Sequence, residues 1–193
     1  MIRVAIALVA GLAAGVLTNL AQGWLPGAWN QIANSGAVWS VAAFVAGALV
    51  AGGLLRGLFA GLAAELGLVV GYYGYAEFGR DGMGSPFWPL VWVVIACVAG
   101  PVFGVAGFWW RDGAGWRRVL GPAALSGVFG MEAAHYAFGL GYAPQAWVCL
   151  AVFLLVPLLA GTVRGAFLTL LTAVPCAAVA YAVIILPLRL LSG

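Results

Sequence analysis

The sequence predicts an all-α fold, a polytopic integral membrane bundle of about seven helices, and three observations predict it. The chain of 193 residues is 65% hydrophobic and only 7% charged, against about 45–50% apolar and about 25% charged for a soluble domain. Its apolar residues run in stretches long enough to cross a hydrocarbon core, which takes about 20 residues. Its 29 glycines fall inside those stretches, where small residues let helices approach closely. A soluble core of this length could not hide so much apolar surface. In lipid that surface needs no hiding, and helices satisfy their own backbone polar groups.

The predicted spans are residues 4–24, 37–55, 57–77, 87–110, 119–140, 145–162 and 166–188. They leave no room for a soluble domain, so residues 1–193 read as one membrane domain. The first stretch has Arg3 as a positive flank in the manner of a secretory signal. Its length and the spans that follow make it a first span. The breaks carry turn chemistry: LPGAWNQIANSG, LLRG, EFGRDGMGSP, RDGAGWRR, GYAPQ and GTVRG. LLRG is so short that the second and third spans should form a tight hairpin. Pro101, Pro157 and Pro175 fall within spans and should kink them.

Lysine is absent, so topology rests on eight arginines. Arg3, Arg56, Arg111, Arg117, Arg118 and Arg164 fall on one side of a seven-span bundle, and Arg80 and Arg189 on the other. The positive-inside rule then predicts a cell-membrane protein with a cytoplasmic N-terminus and an external C-terminus. The net charge of +3 is a topology signal and gives no basis for nucleic-acid binding. A weak internal repeat aligns LAAGVLTN, LFAGLAAE and SGVFGME, which suggests three related hairpins and a final helix. Cys97, Cys149 and Cys176 are isolated in apolar segments and read as buried structural thiols.

Five residues are acidic. Glu77, Asp81 and Asp112 fall in loops beside arginines and read as solvated. Glu65 and Glu132 fall near the middles of the third and fifth spans, where a charged acid costs about 2.5–3.5 kcal/mol even on the lower scales. Burial disfavours the ionised form, so at least one should be a neutral carboxylic acid at pH 7, a proton donor in a dry site. Glu132, His135, Tyr136 and Gly139 share one helical face, as do Gly61, Glu65 and Tyr72 with Tyr73 beside them, and Gly15, Asn19 and Gln22. Glu132-x-x-His135 has the spacing of a di-iron carboxylate pair. The second such pair is missing, so no metal and no cofactor is expected.

Aromatic residues crowd the outer half of the bundle, among them Trp39, Tyr72, Tyr73, Trp88, Trp92 and Tyr136. Most such residues form interfacial belts, but the lopsided distribution fits an aromatic-lined cup with the acids at its floor. Asn30, Gln31 and Asn34 in the first outer loop could close over it. The expected substrate-binding set is Asn19, Gln22, Trp39, Tyr72, Tyr73, Trp88, Trp92, His135 and Tyr136. The expected partners are an apolar small molecule and the lipid bilayer.

In size, span count, embedded acids and aromatic content the chain resembles the small membrane-bound terpene cyclases. These are the fungal meroterpenoid cyclases and the bacterial cyclases of prenylated indoles and diketopiperazines. The resemblance implies acid-initiated cyclisation of a farnesyl-type substrate, with Glu65 in AGLAAELG and Glu132 in GMEAAHY as candidate acids. The fungal enzymes use one Glu and one Asp where this chain has two Glu. The chain is also similar to small membrane proteins common in actinobacteria, a likeness that implies no activity. A rival reading is a small-molecule transporter or a substrate-binding membrane subunit of the vitamin or cation-exporter type. In that reading Gly11-x-x-x-Gly15, Gly57-x-x-x-Gly61 and Gly67-x-x-x-Gly71 would dock a partner.

Overall fold

The computed structural model describes residues 2–50, 52–80 and 82–192. Among these residues the chain is helical without strands and forms seven main helices. They are α1 (Ile2–Trp24), α2 (Gly36–Leu49), α3 (Leu54–Gly79), α4 (Phe87–Asp112), α5 (Trp116–Ala134), α6 (Ala143–Leu155) and α7 (Val163–Ala180). Helix α5 continues through a π turn, His135–Leu140, and α6 through a 3-10 turn, Val156–Ala160. Helix α7 runs through a second π turn, Tyr181–Ile185, into Leu186–Ser192. Among the described residues, six helical segments are long and apolar enough to cross a membrane. Their lipid-type surface is plain in residues such as Val70, Val94, Leu171 and Val179, all more than half exposed. The chain is an integral membrane protein.

Helix α5 is the one outside that set of six, because Arg117, Arg118, Glu132 and His135 dilute its apolar content. Residues 116–140 make about 37 Å of helix at about 1.5 Å per residue, longer than a core of about 30 Å. Between Gly121 and Ala133 every residue except Ala124 and Gly130 is buried. A helix packed inside other helices does not face lipid and has no need of an apolar exterior.

The chain divides into two compact units, Met1–Phe108 and Trp109–Gly193, where the composition alone reads as one domain. In the first unit α3 is central: α1 and α2 pack along it and scarcely touch each other. The buried residues of α1 are Ala7, Gly11, Gly15 and Asn19, one stripe at i, i+4, i+8 and i+12. Along that stripe Gly11 lies against the Ala64 carbonyl and Gly15 against that of Leu68. From the other side Gly67 and Gly71 lie against the carbonyls of Leu8 and Leu12. Gly61 meets Gly100 and Gly104 of α4, and Gly47 of α2 also meets Gly104. The three small-residue pairs expected to dock a partner are thus occupied by the unit's own helices.

In the second unit α5 is central and packs on α6 and α7. Gly127 lies against Cys176 and Ala177 of α7, and Gly130 against the Phe153 ring of α6. The Ser126 hydroxyl donates to the Phe153 carbonyl at 2.7 Å, and Trp110 Nε1 donates to the Leu159 carbonyl at 2.9 Å.

The boundaries follow local chemistry. Ser35 caps α2 by accepting from the Val38 N–H at 3.2 Å, and Thr162 caps α7 by accepting from Gly165 at 3.0 Å. LLRG is not a break: Leu54–Gly57 form the first turn of α3. The turn comes from Gly52 and Gly53, with φ of +105° and +115°, a backbone region side chains rarely adopt. Pro157 falls where α6 tightens into its 3-10 turn, whereas Pro101 and Pro175 lie within continuous helix. The π turn at Tyr181–Ile185 comes just before Pro187, which lacks an N–H and crowds the carbonyl four residues back. Asp81 lies outside the described residues.

A Cβ at Gly61 would press on backbone of α4, whereas one at Gly74 would meet open space. Gly61→Val is expected to lower the stability of the purified protein by about 1–3 kcal/mol, read as a fall in thermal unfolding temperature in detergent. Gly74→Ala should leave it unchanged or slightly raised.

Candidate functional site

The α1 stripe that seats Gly11 and Gly15 on α3 also seats Asn19. Its Nδ2 donates to the Tyr72 carbonyl at 3.0 Å, and one turn further the Tyr72 hydroxyl donates to Gln22 Oε1. Asn19 is 2% exposed. On its other side Tyr72 meets Trp39 of α2, with ring centroids 5.5 Å apart. Trp39 in turn meets Trp92 of α4 at 5.2 Å, and Tyr72 meets Tyr73 edge-on at 5.0 Å. Trp39, Leu68, Val69, Tyr72 and Ala96 form the buried part of this cluster, with Tyr73 and Trp92 half-buried at its margin. The rings close on one another, so in this conformation the expected cup is a packed cluster. Offset and edge-on contacts between ring quadrupoles favour that closure.

Glu65 belongs to the same unit and is 3% exposed. One turn before it Gly61 lies against α4, and one turn after it Val69 packs with Trp39 and Ala96. Helical geometry therefore points Glu65 between α2 and α4, one turn from the aromatic cluster. Four buried polar atoms of this unit have no hydrogen-bond partner among the described residues: Glu65 Oε1, Asn19 Oδ1, Asn34 Oδ1 and Trp39 Nε1. They comprise a carboxyl, two amide acceptors and a donor, and buried groups left in this state are uncommon.

In the second unit Glu132 is buried on α5, and Tyr136 is buried one turn later. The π turn begins at His135, directly after the turn that carries the acid; such turns recur at functional sites. His135 Nδ1 lies 3.5 Å from Arg189 Nη2, and Tyr136 stacks on Tyr142 at 6.4 Å. Two further features of this unit were not expected. Gln145 is 2% exposed with its Oε1 unpartnered, and buried Cys149 lies close enough to Glu132 to interact electrostatically. GYAPQ reads as a break, but Pro144 sits in the first turn of α6, where proline starts a helix well. That signal could have placed Gln145 in the first turn of the helix.

The expected site residues thus fall into two groups. Asn19, Gln22, Trp39, Glu65, Tyr72, Tyr73 and Trp92 belong to the first unit, and Glu132, His135 and Tyr136 to the second. Trp88 is not brought to the cluster: it is 39% exposed and edge-on against Phe87 at 5.4 Å. Gln31 donates to Asn30 at 3.1 Å in the short helical turn Asn30–Ala33. Cys149 is buried as expected, whereas Cys97 faces outward and Cys176 is half-buried.

These features define a polytopic α-helical membrane protein of two compact units, each with a buried glutamic acid on its central helix. Within that class the chain belongs to a family of unknown function, DUF6518, whose pattern matches residues 1–190. No curated protein and no solved structure matches it.

If the Tyr72 hydroxyl and Gln22 form a working interhelical bond, Gln22→Leu and Tyr72→Phe should not be additive. A double-mutant cycle in reversible denaturant unfolding should give a coupling of about 0.6 kcal/mol and less than about 2 kcal/mol, the range for bonds between membrane helices.

Proposed function

We propose that the protein is a membrane-embedded terpene cyclase that protonates an apolar, farnesyl-type substrate, with Glu65 as the acid. One observation carries the reading: the deeply buried Glu65 carboxyl, with an unpartnered oxygen, one turn from a cluster of aromatic rings. In the proposed reaction the Glu65 O–H transfers its proton to a terminal alkene carbon or epoxide oxygen. A carbocation and a Glu65 carboxylate result. A second alkene of the chain closes the ring, and the cyclised cation loses a proton to the Glu65 carboxylate, directly or through a water, which restores the acid and completes an isomerisation with no change in mass. Trp39, Tyr72 and Trp92 supply ring faces that stabilise the cation. Asn19 and Gln22 hold Tyr72 in place. Entry requires Tyr73 and Trp92, the half-buried rings, to swing outward. Glu132, with His135 and Tyr136, is the second candidate acid centre. The proposal needs no metal or organic cofactor. The arginine distribution supports a cytoplasmic N-terminus and an external C-terminus, in the cell membrane.

A second reading is small-molecule transport or capture. Its support is the division into two compact units, each with its own membrane acid, since transport by relative motion of two halves uses such an arrangement.

Purified protein incubated with farnesylated indoles, diketopiperazines and their epoxides should give products of unchanged mass and altered retention. Glu65→Gln should slow this by about 10²–10⁴-fold, the usual worth of a general acid. Retained activity in Glu132→Gln would assign the proton to Glu65 alone. A folded wild type that isomerises none of these substrates, yet accumulates a solute in proteoliposomes under a proton gradient, would replace the cyclase reading with transport.

A further inference from the structure

Because α1 and α2 both lean on α3 and scarcely touch each other, they leave a groove between them. It has a volume of about 440 Å³ and is open along one side. Its walls are apolar: alanines Ala7, Ala10 and Ala14 on α1 and Ala42 and Ala46 on α2 form the slot, the larger Ile6, Val45, Leu49 and Val50 flank it, and its floor includes Ala64 of α3. Such walls offer a dry, narrow slot with no polar group along its length. Arg3 is the exception, and it stands at one end.

Two further facts say what fits. From Arg3 to Ala14 is eleven residues of helix, or about 16 Å at about 1.5 Å per residue. Half of a hydrocarbon core of about 30 Å is about 15 Å. The groove therefore has the length of one leaflet, with its charged end where headgroups lie and its other end near the bilayer centre. At the charged end the Arg3 guanidinium gives one hydrogen bond, Nη1 to the Leu49 carbonyl at 3.2 Å. A guanidinium carries five donors in a fork suited to phosphate oxygens. Arg3 is exposed, so a phosphate can reach it.

From these observations we infer that the groove is a binding site for one anionic phospholipid. One acyl chain lies between α1 and α2, and the phosphate is held by Arg3. The shape selects a single unbranched chain, and the arginine selects a negative headgroup. The occupant is a resident lipid of the leaflet on the Arg3 side. It fills the space left where α1 and α2 do not meet and holds them on α3. This inference does not depend on the cyclase reading, since Glu65 does not line the groove.

Native mass spectrometry of the detergent-purified chain tests it, with phosphatidylglycerol and phosphatidylcholine of matched chains. The wild type should retain one phosphatidylglycerol per chain in preference to phosphatidylcholine. Arg3→Gln should lower that preference by about fivefold, the worth of one basic residue at an anionic surface, and Arg3→Lys should largely keep it. Ala10→Leu fills the slot from its exposed side and should abolish the retained lipid of either kind, with helix content by circular dichroism unchanged. Equal retention of the two lipids by the wild type, or full retention by Ala10→Leu, would overturn the site. So would replacement of the phospholipid by farnesyl phosphate at equal concentration, which would make the groove a prenyl-substrate site. A dimer of the chain lost in Ala10→Leu would make it an interface between copies.

Discussion

Close approach of helix backbones is the constraint on which the rest of this structure depends. Lipid tails are as apolar as leucine, so helices in a membrane gain little by hiding apolar side chains from lipid. They gain by dispersion contact and by short interhelical hydrogen bonds, and both need small residues at the crossing. Gly11, Gly15, Gly67 and Gly71 bring α1 and α3 together in this way, and Gly61, Gly100 and Gly104 bring α3 to α4. Gly127 does the same for α5 and α7. The helices that take part on several sides become the centres of their units, and the others become walls.

That choice of centre places the chemistry. Glu65 is on α3 and Glu132 on α5, so each unit keeps its acid on the helix most enclosed by neighbours. A carboxyl there is screened from lipid and from water. The same close approach makes the Asn19 and Gln22 contacts with Tyr72 possible, because it brings the α3 backbone within reach of the short Asn19 side chain. The acid and the aromatic cluster are neighbouring layers of one packed unit. Any reaction there must begin with displacement of half-buried rings at its margin.

Much of this was legible from residue order. Runs of apolar residues located the helices to within a few positions, because a membrane span has a length set by the bilayer and not by its partners. The exception is the end of α2, expected at residue 55 but reached at Leu49, since the apolar run continues through the turn into α3. The same count placed Glu65 within α3 and Glu132 within α5. Spacing at i, i+3 and i+4 put Asn19 and Gln22 on one face of α1, which is how both come to meet Tyr72. Other features were hidden in local resemblance. Gln145 sat in a motif that reads equally as a turn or as a helix start. Trp88 had the same composition and spacing as Trp92, one turn away, and only packing separated the exposed ring from the half-buried one. LLRG contains a glycine, as breaks do, yet the turn came from the two glycines before it.

The sequence by itself determined the class of protein, the helical segments and which of them carry the two acids. All of these follow from composition and from the fixed rise of a helix across a bilayer of given thickness. The tertiary structure alone decided which helices are central, that the chain divides into two compact units, and that the aromatic rings close on one another. It also decided that α1 and α2 lean apart to leave a groove. The physical reason is that glycines occur in nearly every span, and residue order does not say which of them meet. The choice among possible crossings rests on shape complementarity between whole helix faces, a property of pairs of helices in space and not of either one alone.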